Sequence, residues 1–295
     1  HREGKRSQHH RGPRERRGGG DPGRCRVLGA VKNRPPRWVI AMAAVPAIVL
    51  GAPLFALLWR LPWSDLGGAL TSDAAKSALG LSLITSVSAT ALCVLFGLPL
   101  AWMLSTGTGV TTRVVRALCL LPIVLPPVVG GVALLLAFGR RGVVGQWLAD
   151  LGIQLSFSTA GVILAQFFVA LPFFVLSVEA ALRQMDIEFA EVAHVHGASP
   201  TRVFTSVTVP SIAPAIAAGA VLAWARALGE FGATVTFAGS LEGRTQTLPL
   251  AVFNLLESDP ADAVVLSAVL VVLAVAVLVA LRDRWFGVLR SEVQR

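Results

Sequence analysis

Charge is scarce in this chain. Only 15% of its 295 residues are Asp, Glu, Lys or Arg, 54% are hydrophobic, and the mean hydropathy is +0.68. A soluble domain carries about 25% charged residues and lacks long apolar runs, so an ordinary water-soluble fold is excluded and the solvent for most of the chain is lipid. Cysteine is scarce as well. Cys25, Cys93 and Cys119 form no CxxC, and the last two fall inside apolar segments, which excludes a disulfide framework and a cysteine metal site. No GxxxxGK[ST] is present to cradle a nucleotide phosphate, and there is no nucleophile elbow, zinc-spaced histidine pair or carboxylate dyad. The chain is therefore expected to be no enzyme on its own and to hold no cofactor and no metal.

The formal net charge of +9 is confined to one end. Residues 1–37 hold 12 Lys/Arg against 3 Asp/Glu, and the rest of the chain holds 14 of each. The stretch "HREGKRSQHHRGPRERRGGGDPGRCR" has no apolar periodicity, so residues 1–37 are expected to form a disordered basic tail. Its start at His1 fits an extended or added stretch. No aromatic residues interleave with its arginines, so a nucleic-acid partner is not expected. It also lacks the apolar core of a secretory signal, the first long apolar run being of full spanning length.

A membrane-crossing helix needs roughly 20 mostly apolar residues. Six windows meet that length: Trp38 to Trp59, Ala78 to Leu104, Val114 to Phe138, Ala160 to Leu182, Ile212 to Phe231 and Ala261 to Leu281. The expected fold is an all-α integral membrane protein with six transmembrane helices over 38–290. The third window contains "LLPIVLPPVVGG", whose prolines should kink it; its paired glycines suit either close helix packing or a lined path. Basic residues in short loops favour the cytoplasmic side. The tail and "RDRWFGVLR" then place both termini in the cytoplasm, together with Arg113, Arg116 and the polar stretch from Glu191 to Phe204. Arg140 and Arg141 fall on the other side, against the rule.

That polar stretch, "EVAHVHGASPTRVF", interrupts an otherwise apolar sequence. Asp186 can cap a helix starting at Ile187, and Gly197 can end it in a left-handed conformation. Phe189, Val192, Ala193 and His196 share one face, while Ser199 caps a second helix with Pro200 at its first position. The result is a capped elbow over about 186–206, suited to docking into a cleft on a soluble partner. His194 and His196 are two apart and do not face each other on a helix, so a metal site is not indicated.

Glu191, Val192, Ala193, three residues, Gly197, nine residues, Val207, Thr208, Val209 and Pro210 resembles the cytoplasmic signature of the membrane subunits of binding-protein-dependent ABC importers. The segments "LPIVLPPVVGGVALLLAFGRRG", "GEFGATVTFAG" and "GRTQTLPLAVF" are similar to the molybdate-transporting branch, from Trp38 to the last window. Sulfate permeases share a closely similar Gly-Glu-Phe-Gly-Ala. The resemblance implies a type I importer permease fold. It makes the elbow the coupling helix, with Glu191, Ala193, Gly197 and Pro210 as coupling residues. It also implies a homodimer, two ATP-binding cassette ATPase subunits and an extracytoplasmic oxyanion-binding protein. Sulfate or thiosulfate import is the alternative cargo, and a secondary transporter the alternative class; the latter would be expected to carry intramembrane carboxylates or inverted repeats.

For the path itself, Arg226 and Glu230 are four apart at the end of the fifth window. They can form an intrahelical pair, or Arg226 can offer a positive field to a passing dianion, with Thr234 and Thr236 as hydroxyl donors. Glu179 is expected to snorkel or to pair with Arg183.

Overall fold

The computed structural model describes residues 36–64, 66–185 and 199–292. Every regular element among them is a helix. The chain divides into two compact units between Ala52 and Pro53. Helix α1 (Arg37–Trp59) runs across that division and matches the first apolar window.

In the second unit, the short α2 (Leu66–Thr71) leads into α3 (Asp73–Thr106). Its 34 residues give a rod of about 51 Å, longer than the roughly 30 Å hydrocarbon layer. Ser72 starts it, its hydroxyl accepting from the Ala75 N–H at 3.3 Å. Ser82, Ser86, Ala89, Cys93, Gly97, Ala101 and Leu104 recur at three- and four-residue spacing and form its buried stripe. That stripe faces α7 (Thr159–Gln184), the central helix, capped by Ser158 through the Gly161 N–H at 3.1 Å. At Gly97 the Phe174 ring of α7 packs directly on the α3 backbone, where a Cβ would lie 2.6 Å from it.

The third window is divided rather than merely kinked. Helix α4 (Val110–Val124) stops, Leu125 and Pro126 are extended, and α5 (Pro127–Phe138) begins with Pro127 at its first position. Two consecutive prolines remove two N–H donors and force the preceding residue out of helical geometry, so the break falls where they stand. The short α6 (Gly145–Asp150) follows.

The fifth window also departs from expectation. After α8 (Pro200–Val203) come a π-helical turn (Phe204–Thr208) and α9 (Val209–Ser211), and α10 (Ala213–Leu228) then sets off after a bend of 72°. Pro210 has no N–H for the Ser206 carbonyl and Pro214 none for the Pro210 carbonyl, which accounts for the wide turn and the bend. The 16 residues of α10 reach only about 24 Å. Ser199 caps α8 as expected, accepting from the Arg202 N–H at 3.4 Å.

Helices α11 (Gly232–Ala238), α12 (Leu248–Ser258) and α13 (Pro260–Glu292) complete the unit. Three helices are long and apolar enough to cross a membrane alone: α1, α3 and α7. The bent arm with α10 would make a fourth, while α5, α12 and the Pro260–Ala276 part of α13 are shorter apolar helices. Six separate straight spans are therefore not what the described residues form.

The main core lies where α3, α7 and α10 meet around Phe174 and Val178. A second contact joins α5 and α11 without intervening side chains. A Cβ at Gly131 would lie 2.6 Å from the Thr236 Cβ and 2.9 Å from the Ala233 oxygen, and one at Gly232 would lie 2.8 Å from the Pro127 Cβ. Packing thus explains the glycine at Gly131.

Candidate functional site

Helix α10 ends in an ionic corner. Arg226, in its last turn, places Nη1 2.5 Å from Oε2 of Glu230. The other carboxylate oxygen of Glu230 accepts from the Ala233 N–H at 2.8 Å, so one side chain both compensates the arginine and caps α11. Glu230 is 1% exposed. The i, i+4 pair anticipated from spacing is therefore the geometry, and the positive charge of Arg226 is matched locally. Thr236 donates to the Gly232 carbonyl at 2.8 Å, within its own helix. Thr234 is fully buried and its hydroxyl has no partner among the described residues. The fold brings all four residues into one corner, and Thr234 alone of them has a buried side-chain oxygen without a hydrogen-bond partner among the described residues.

Further buried polar groups adjoin the core. On α3, Ser82 accepts from the Leu248 N–H at 2.6 Å and Ser86 from the Trp224 indole at 2.9 Å. On α7, Gln166 is buried with neither amide atom hydrogen-bonded, and the Thr247 hydroxyl is likewise unpartnered among the described residues. Ser82, Ser86 and Gln166 were legible only as polar residues within apolar windows, and Thr247 falls outside every window. A buried amide without partners costs a few kcal/mol, which makes Gln166 a position where water or a passing ligand would be stabilised.

At the opposite end of α7 lies a second ionic cluster. Glu179 pairs with Arg183 at 2.9 Å, as anticipated, and also with Arg116 of α4 at 2.6 Å. Both guanidinium groups donate to the Leu104 carbonyl at the end of α3, at 2.7 and 3.2 Å. The Glu179 side chain is 8% exposed, so it is held inward rather than snorkelling. The ends of α3 and α7 and the middle of α4 are thereby tied together, with Glu179 six residues before Met185. We expect Glu179→Ala to leave the two guanidinium groups without their shared carboxylate acceptor and to cost about 1–3 kcal/mol, reduced by the partial exposure of both arginines. A thermal melt in detergent measures this, with Glu179→Gln expected to lose less.

Of the four residues expected to couple to an ATPase, Glu191, Ala193 and Gly197 lie outside the described residues, as do Asp186 and the two histidines His194 and His196. Pro210 lies in α9, on the arm that leads into α10. The arm is fastened to the same end of α3 by Phe204, whose ring stacks on Trp102 with centroids 4.5 Å apart.

Long apolar helices, close glycine contacts and compensated buried charge define a multi-pass helical membrane protein. Residues 94–295 match the family model for the binding-protein-dependent transport system inner membrane component. The chain is 46% identical over 249 residues to the molybdenum transport system permease protein ModB of Mycobacterium tuberculosis, covering 84% of this chain and 94% of that one. It is 32% identical to the sulfate transport system permease protein CysT of Escherichia coli, covering 76% and 82%. Among solved structures it superposes on a bacterial alginate ABC transporter in complex with alginate pentasaccharide-bound periplasmic protein, with a TM-score of 0.63 at 19% identity over 84% of this chain and 92% of that one. The chain belongs to the family of inner membrane components of binding-protein-dependent transport systems.

Proposed function

We propose that this chain is the membrane subunit of an ATP-driven importer that carries molybdate, with tungstate as a second cargo, into the cytoplasm. The observation that carries the cargo is the 46% identity to a molybdenum permease over most of both chains, against 32% to a sulfate permease. Two copies form the pore, since closed twofold dimers are the commonest symmetric assembly. Two ATPase subunits bind the 186–206 elbows on the cytoplasmic side, where both termini also lie, and an extracytoplasmic oxyanion-binding protein delivers the dianion. Residues 38–290 form the permease domain, with six crossings in which divided helices count as one. Sulfate or thiosulfate is the second reading, supported by the shared Gly-Glu-Phe-Gly-Ala from Gly229 to Ala233.

The corner at Arg226 and Glu230 supplies rigidity to the path, and Thr234 a hydroxyl donor to its cargo. With few donors, binding in the membrane stays weak, and selection falls to the delivering protein. Native mass measurement on the complex purified through this chain should find two copies with two ATPase subunits. Gly197→Val should leave the chain in the membrane yet lower ATPase co-purification at least fivefold, because a β-branched residue resists left-handed backbone. A stable single-copy complex, or an unaltered ATPase yield from Gly197→Val, would contradict the assembly and the elbow respectively.

A further inference from the structure

The loop after α5 carries Arg140 and Arg141, the pair that runs against the charge rule for short loops. It is folded back onto its own helix. The Gly142, Val143 and Val144 N–H groups donate to the carbonyls of Gly139, Leu136 and Ala137 at 2.7, 3.1 and 2.8 Å. A Cβ at Gly145 would collide with the Gly139 carbonyl oxygen, so the turn closes only with glycine there. The two guanidinium groups are thus carried on a backbone-bonded hook.

They border a cavity of about 390 Å³ whose wall also includes Gln154, Ser156 and Phe157. That volume lies within the range of small-ligand sites. Neither arginine has an ion-pair or hydrogen-bond partner among the described residues, whereas Arg116, Arg183 and Arg226 are all paired. Other exposed arginines are unpaired too, but these two are adjacent and share one concave wall. Phe157 is the sole non-glycine residue with positive φ among those described, at 57°, and its ring lies against Gly239, itself at 73°. Backbone held in sparsely populated conformations clusters at ligand clamps. Through that contact the wall is joined to the end of α11, the helix that carries Thr234.

The position of the cavity relative to the Glu179 cluster follows from α7. The cavity wall ends two residues before Thr159, and Glu179 stands 20 residues along the same helix, about 30 Å away, the thickness of the hydrocarbon layer. The cavity and the Glu179 cluster therefore lie at opposite ends of the central helix.

We propose that this cavity is a receiving site for a tetrahedral divalent oxyanion on the membrane face opposite the Glu179 cluster, with Arg140 and Arg141 as its cationic wall and Gln154 and Ser156 as neutral donors. Two forked guanidinium groups match the charge of a dianion and the geometry of its oxygens. An open cavity at a surface holds such an ion weakly enough to pass it on. The proposal rests on the oxyanion-permease reading for the class of ligand, not for the site. Phosphate of a lipid headgroup shares this chemistry, and the test separates the two sources.

The full chain, purified in maltoside detergent, is treated with phenylglyoxal and labelling is followed residue by residue by peptide mass spectrometry. Sodium molybdate or sodium sulfate should slow modification of Arg140 and Arg141 at least threefold relative to sodium chloride of equal ionic strength, with Arg60 and Arg113 unaffected. Equal labelling in all three salts overturns the site. Protection in lipid nanodiscs with no added dianion, and none by dianion in detergent, assigns the cavity to lipid headgroups and also overturns it. In cells, R140Q/R141Q should lower molybdate uptake at least fivefold at unchanged chain level, while the purified variant complex binds the delivering protein as the parent does. Loss of that docking would instead make the arginines a protein contact and refute the proposal. Protection by sulfate together with no molybdate uptake by the parent would leave the site standing and reject the cargo.

Discussion

Replacing Glu230 by alanine should cost this protein more than any other single change in the described residues. The substitution leaves Arg226 without its 2.5 Å partner and the Ala233 N–H without its acceptor, both within a corner where the carboxylate is 1% exposed. Removing one member of a buried pair costs about 3–5 kcal/mol, and the 27% exposure of the Arg226 side chain lowers that toward the smaller figure. A loss of that size is a large fraction of the stability of an ordinary domain, so extractable folded chain should fall several-fold and transport with it. Glu230→Gln keeps an acceptor for Ala233 and should lie between. R226L/E230Q should recover part of the loss, because the uncompensated cation is gone, and a double-mutant cycle gives the coupling. Glu230→Ala with parental yield and transport would mean that the corner is not what organises α10 and α11.

The second large effect is expected at Gly131→Val. Its Cβ would lie 2.6 Å from the Thr236 Cβ and 2.9 Å from the Ala233 oxygen, where neither atom belongs to the far end of a flexible side chain. Helices α5 and α11 must separate, at a cost of about 1–3 kcal/mol. The shift displaces Thr234, so transport should fall further than the melting temperature alone implies. Gly130→Ala is the control, since its nearest neighbour is the Phe168 ring at 3.1 Å, which can turn. Similar behaviour of the two variants would show that the glycine contact is not specific.

Apolar run length alone located α1, α3 and α7, because an uninterrupted run of spanning length has one stable solution in lipid, a continuous helix. The third and fifth windows were located, but how far their helices are divided was not legible. Prolines at 126, 127, 210 and 214 were visible, yet whether a proline kinks or divides a helix depends on what satisfies the freed carbonyls, which is a tertiary property. The Arg226 and Glu230 pair was legible from i, i+4 spacing, and so was Glu179 with Arg183. Arg116 was not, because it reaches Glu179 across 63 residues and no local pattern encodes that distance. Gln166 was not singled out in the sequence, because its inward orientation depends on the packing of α7. Val207 to Pro210 of the elbow signature are described in place, while Glu191, Val192, Ala193 and Gly197 lie outside the described residues.

The central claim is that this chain serves molybdate import and that sulfate passes through a different system. It is tested most directly by uptake of labelled molybdate at low concentration, with and without excess sulfate, in cells that have or lack this chain. The account predicts that removing the chain abolishes high-affinity molybdate uptake, that excess sulfate competes poorly in cells that have it, and that growth on sulfate is spared where a separate sulfate system exists. Loss of sulfate uptake with molybdate uptake intact would contradict it and transfer the chain to sulfate import.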